Sequence, residues 1–189
     1  MCKRDRQGVD TAVYRRQRGA FRGLSLALVA VTLAMSASAV AAPIDWSGTS
    51  GWVPFDQALQ RARAENKPVC VVVYADWCPK CRSLAPAFKS GPIVAASKQV
   101  LMVLQNSDEK PGWLAQRFGD LGNYVPRIFF LKPDGTLDTS LNSGHERYPY
   151  FYTPGKAPLL AEQMSQAAQA AGPPPPPPPP QPAVAAVEP

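Results

Sequence analysis

Histidine is almost missing from this chain. His145 is the only one, and it sits in a polar loop far from either terminus. Cysteine is scarce too, with Cys2, Cys70, Cys78 and Cys81. A structural zinc site usually takes four Cys or His ligands. One close cysteine pair and a distant histidine do not supply them, so no metal centre is expected. The N-terminal apolar run, Leu24–Met35, is shorter than the roughly 20 residues a membrane span needs. There is no internal repeat and no second apolar core.

A one-sided charge is also lacking once the chain is divided. The whole sequence carries 20 Lys and Arg against 14 Asp and Glu, net +6. Residues 1–41 hold seven of those basic residues and only Asp5 and Asp10, which leaves 13 against 12, net +1, for the remainder. The basic balance therefore belongs to the first segment and gives no support for a nucleic-acid partner.

What the first segment does have is a basic start, the Leu24–Met35 run and the small-residue stretch "SASAVAAP". That combination reads as a secretory signal peptide over residues 1–41, cut after Ala41, where Ala39 and Ala41 take the small-residue positions. The rival reading is an uncleaved anchor. At the other end, residues 172–189 contain eight consecutive prolines, a polyproline-prone tail that serves as a spacer or as a ligand for an aromatic groove. Residues 42–171 remain, enough for one domain with a single core.

Within that domain the periodicity is informative. Residues 53–66 have Phe55, Ala58, Leu59 and Ala62 at helical spacing. "KPVCVVVYA" is a continuous apolar run of strand length, as in a parallel strand covered on both faces, and Cys70 within it reads as a core thiol. A helix is expected from Pro79, kinked at Pro86 and stopped by Gly91-Pro92. Residues 99–105 read as a second strand and 111–119 as a short helix or turn. "PRIFFLKPDGTL" reads as a hairpin about Pro133-Asp134-Gly135, and residues 155–170 as a last helix. Strands separated by helices imply parallel crossovers, and the hairpin adds an antiparallel edge. The expectation is an α/β domain, a central mixed β-sheet with helices on both faces.

Cys78 and Cys81 stand where the first strand gives way to a helix, in "YADWCPKCRSLAP". Unpaired backbone N–H groups and the positive end of the helix dipole stabilise a thiolate at Cys78. Cys81, one turn later, shares its face and can close a disulfide with it. The spacing thus provides an attacking thiol, Cys78, and a more buried resolving thiol, Cys81. Lys80 either favours the thiolate or is simply solvated, and Trp77 either shields the pair or belongs to the core.

A strand, then Trp-Cys-Pro-x-Cys, then a helix with Pro86 five residues past the second cysteine resembles the thioredoxin fold. "NYVPRIFFLKPDGTL", "RYPYFYTP", "SDEKP" and the Trp46, Lys67 and Pro68 lead-in narrow the likeness to the anterior-gradient and thioredoxin domain-containing protein 12 family, over roughly residues 44–170. The resemblance implies a thiol–disulfide oxidoreductase acting on protein thiols or disulfides together with a redox partner protein. It implies no organic cofactor. It places Pro126 in the cis form opposite the pair, and Trp77, Pro79, Val125 and Pro126 on the substrate-contact surface. It also makes the aromatic loop at 148–152 a family feature, with Tyr150–Tyr152 expected at the domain edge. Two departures are visible. Many thioredoxins carry a buried acid six residues before the first cysteine, and here that position is Val72. The chain ends "AVEP", without an endoplasmic-reticulum retention signal, which suits a periplasmic or otherwise secreted protein. A non-catalytic binding module, using the aromatic loop and the proline tail, is the rival function.

Overall fold

A computed structural model of the protein describes residues 42–173 and residue 176. The expected signal segment and nearly all of the proline-rich tail lie outside the described residues. The elements, in chain order, are α1 (Phe55–Glu65), β1 (Val69–Tyr74), α2 (Pro79–Leu84), α3 (Gly91–Ser97), β2 (Leu101–Asn106), α4 (Gly112–Phe118), β3 (Arg127–Leu131) and α5 (Ala157–Ala171). Short 3₁₀ turns join several of them, including Ala85–Lys89 directly after α2.

The sheet has the order β2-β1-β3. β1 runs parallel to β2, with Val71 opposite Val103, and antiparallel to β3, with Val71 opposite Phe129. β1 is central and helices cover both faces of the sheet, which is why its sequence is apolar without alternation. Its side chains nonetheless divide between two clusters with period two. Cys70 and Val72 join Ile128 and Phe130 beneath α2, α3 and α5. Val69, Val71 and Val73 join Phe129 and Leu131 beneath α1 and α4. Phe130, one of several fully buried side chains, contributes about 2–3 kcal/mol from its apolar area. The fold is thioredoxin-like, with helices on both faces of a three-stranded mixed sheet.

Three local expectations need correction. The hairpin after β3 does turn, with Lys132 N–H donating to Thr136 O at 2.8 Å and Gly135 at φ +88°. Its return arm, however, forms only the single bridge Leu131–Leu137. Asp138 ends the extended run, because its carboxylate accepts the Ser140 N–H and hydroxyl at 3.1 and 2.5 Å and so closes a local turn. The antiparallel edge of the sheet is therefore β3 itself.

Pro86 does more than kink a helix. It cannot donate to the Arg82 carbonyl, so the α-helix ends at Leu84 and the chain continues as 3₁₀. Gly91-Pro92 begins a helix rather than stopping one. Pro92 lies in the first turn of α3, where an N–H would have no partner, and Ser90 accepts the Val94 N–H at 2.9 Å.

Tyr150 and Tyr152 belong to the core, not to the domain edge. Both are buried, and the Tyr152 hydroxyl donates to Gln163 Oε1 of α5 at 2.5 Å. Gln163 in turn donates to Asn142 O at 2.7 Å. The aromatic loop is thereby fastened to the last helix through a buried polar chain, which satisfies groups that burial would otherwise penalise.

Candidate functional site

The site is built at the end of the sheet where β1 stops and β3 begins. Cys78 is the N-cap of α2, in an extended conformation (φ −81°, ψ 113°), and Pro79 takes the first helical turn. The Cys81 N–H donates to Cys78 Sγ at 3.2 Å, and the Arg82 N–H donates to Cys78 O at 3.2 Å. A sulfur thus occupies the acceptor position that Ser or Asp oxygens take in most helix caps. The segment between β1 and the helix is held by Asp76. Its carboxylate accepts the Ile44 N–H at 2.9 Å and Asn106 Nδ2 at 3.1 Å, while its carbonyl accepts Arg82 Nη2 at 2.6 Å.

Val125 arrives from the other side. The Val125-Pro126 peptide is cis, and Val125 O accepts the Cys78 thiol at 3.6 Å. Pro126 is buried directly before β3. Cys78 keeps 4% of its surface and Cys81 none, and the described cysteines are all free thiols. Burial first, and then the hydrogen bond with Cys78, push the Cys81 thiol up to about 12. Burial alone raises the Cys70 thiol in the middle of β1.

Of the residues singled out from the sequence, Cys78, Cys81, Val125 and Pro126 come together here. Pro79 is exposed at the helix start, and Lys80 beside it is exposed as well. Trp77 stands out in solvent at 62% exposure instead of lying in the core. Its indole N–H is shared between the two Asp108 carboxylate oxygens at 3.1 and 2.9 Å. Val72, where an acid would stand, is fully buried among apolar neighbours. His145 serves its own turn, with Nδ1 accepting the Tyr148 N–H at 3.2 Å. Among the described residues no group of His, Cys, Asp and Glu is arranged to hold a metal ion, and no helix is long and apolar enough to cross a membrane.

Sequence reasoning missed three contributors. Asp76 and Asp108 act on residues about thirty positions away, a separation that no local pattern encodes. Arg127 is the third. It is 4% exposed, with Nη1 donating to Phe118 O at 3.4 Å and to Gly122 O. The one available sign was its position at the head of an otherwise apolar strand, "RIFFL".

Comparison with known proteins agrees with the fold. Residues 51–133 match a family model described as thioredoxin-like. The matched span contains both Cys78 and Cys81, so the fold is thioredoxin-like and the paired thiols lie within it. The chain is similar to the anterior gradient proteins. It is 28% identical over 123 residues to anterior gradient protein 3 of Xenopus tropicalis, covering 65% of this chain and 74% of that protein. It is 24% identical over 123 residues to the anterior gradient protein 2 homolog of Homo sapiens, covering 65% and 69%. Among solved structures, a thioredoxin from Thermus thermophilus aligns at 18% identity with a TM-score of 0.49, over 64% of this chain and 88% of that one.

Proposed function

We propose that the protein exchanges disulfides with protein thiols through Cys78 and Cys81. The observation that supports this most directly is the placement of the Cys78 sulfur. It accepts a backbone N–H from the helix it caps and faces the Val125 carbonyl, on the side where a substrate chain can pair with the Val125-Pro126 backbone.

The Cys78 thiolate attacks one sulfur of a substrate disulfide. A bond forms between Cys78 and that sulfur, and the other substrate sulfur leaves as a thiolate and takes a proton. Cys81 then gives up its proton and attacks Cys78 Sγ, closing the 78–81 disulfide and releasing the second substrate thiol. Two electrons have passed to the substrate, and run backwards the same steps oxidise a dithiol. With Val72 in place of an acid, the Cys81 proton has no buried carboxylate to go to, so its removal falls to the departing substrate thiolate or to water. Trp77, fixed by Asp108, and Pro79 form the rim on which substrate docks. Measuring the reduction potential by equilibration with glutathione gives the direction of electron flow. Absence of any 78–81 disulfide in the oxidised protein, by mass mapping of peptides, would overturn the mechanism.

We also infer export from residues 1–41, into the periplasm or out of the cell. N-terminal sequencing of the protein recovered from cell fractions tests this, with Ala42 expected as the first residue. A mature chain that retains Leu24–Met35 in the membrane fraction supports the anchor instead. The rival binding-module reading relies on the 148–152 loop and the proline-rich tail, and the burial of Tyr150 and Tyr152 weighs against the loop's part in it.

A further inference from the structure

Arg127 is a buried cation without an anion. It opens β3 directly after Pro126 and keeps 4% of its surface. Two carbonyls, Phe118 O and Gly122 O, accept from Nη1, while Nε is buried with no hydrogen-bond partner among the described residues. Its guanidinium carbon lies 5.8 Å from the Tyr124 ring centre and 5.5 Å from that of Phe129. Neutral carbonyls and ring faces offset only part of the cost of taking a full charge out of water. None of the ion pairs among the described residues includes Arg127.

The guanidinium borders a cavity of about 390 Å³, lined also by Ser107, Lys110, Gly119, Gly122 and Asn123. Both charged side chains of that lining are basic. The carboxylates beside Lys110 are engaged elsewhere, Asp108 with the Trp77 indole and Glu109 with Gln105 Nε2 at 2.6 Å, and Asp120, next to Gly119, is exposed and forms none of the ion pairs among the described residues. The cavity opens at the same end of the sheet as the thiols. Val125 O faces Cys78 Sγ, and Arg127 follows two residues on, roughly 7 Å along extended chain.

From this placement we propose that the Arg127–Lys110 cavity binds a carboxylate carried close to the reacting sulfur of the substrate. The inference rests on the dithiol reading above and deepens it by naming a substrate preference. Nε is sealed, but Nη2 neither is sealed nor has a hydrogen-bond partner among the described residues, so it is the N–H edge a carboxylate oxygen can meet, and Lys110 adds a second charge in the lining. The carboxylate has two sources, an acidic side chain one or two residues from the substrate cysteine or a carboxyl group of glutathione.

Two measurements test it. The first follows the Arg127 Nε–H resonance by NMR in the Cys78→Ser protein. The probes are a disulfide peptide with Asp beside the cysteine, its Asn counterpart, and oxidised glutathione. A saturable shift with the Asp peptide and not the Asn peptide supports a peptide acid. A shift with glutathione alone assigns the site to the small thiol. No shift with any probe overturns the proposal, whatever the enzyme's activity. The second compares kcat/KM on the two peptides. The Asp peptide is expected to be favoured about fivefold, the scale of one charge-assisted hydrogen bond at a partly wet site. The preference should fall toward one in Lys110→Asn, which keeps a residue suited to the left-handed backbone at φ +48°, and in Arg127→Met if that variant folds. Equal turnover of both peptides by the unaltered protein rejects the preference while leaving the dithiol chemistry standing. Inactivity on both, with the NMR shift intact, rejects the dithiol reading instead.

Discussion

The middle of β1 and the junction that follows it both hold a cysteine in the same apolar cluster, yet they make different thiols of it. Cys70 is flanked by Val69 and Val71 within a strand paired on both sides, and it lies in the apolar cluster. Burial raises it and nothing polar brings it back. At Cys78 the strand has ended and the helix has not yet begun to pair its N–H groups, so the sulfur receives one of them and faces a carbonyl. Burial alone makes a cysteine inert. Burial beside unpaired backbone gives the sulfur polar partners, the setting that the proposed exchange uses.

The strongest way to break this contrast is substitution. Cys78→Ser should reduce insulin-disulfide reduction to the uncatalysed background, whereas Cys70→Ala should leave it within about twofold, since a buried strand thiol takes no part in exchange. Comparable losses from the two changes would erase the distinction.

Alkylation of the reduced, folded protein by iodoacetamide should follow the order Cys78, then Cys81, then Cys70, with the last unmodified until the domain opens. Peptide mass mapping over time reads this order. Early labelling of Cys70 would show that β1 is not sealed.

pH sharpens the comparison through stability. Cys81, raised to about 12 in the folded protein, and Cys70, raised further, keep their protons after an unfolded thiol near 9 has lost its own. Above that pH the unfolded chain binds fewer protons than the folded one, so stability should fall as pH rises from about 9. The urea midpoint of the reduced protein should drop accordingly, and Cys70→Ala should make the drop shallower. An identical drop in both proteins would remove Cys70 from the account.

Smaller effects are expected away from the thiols. Tyr152→Phe removes the hydroxyl that Gln163 receives in the core and should lower stability by about 1–2 kcal/mol in urea titration. Arg61→Gln, which breaks an exposed pair with Glu65 at 2.7 Å on α1, should leave the midpoint unchanged within error.

The same division separates what could be read in advance from what could not. Val69–Tyr74 announces a central strand because apolar residues on both faces leave no alternation, and α1 announces itself through Phe55, Ala58 and Ala62. The return arm after Gly135 could not be judged that way. Its turn signal is genuine, but whether a strand follows depends on Asp138 choosing Ser140 as its partner. Gly91-Pro92 reads as a helix stop and proves a start for a related reason, because proline both ends helices and begins them, and only the Ser90–Val94 hydrogen bond decides between the two.

By itself the chain's order of residues determined the layered α/β architecture and the juxtaposition of Cys78 with Cys81. Helical and strand periods and the boundary between them act over a few residues. Packing alone brought Val125 O to the Cys78 sulfur, tied Trp77 to Asp108, drew Tyr150 and Tyr152 inward and left Arg127 buried beside a cavity whose charged lining is basic. Those relations join segments tens of residues apart, and their geometry exists only once the sheet and its two helical layers have closed on one another.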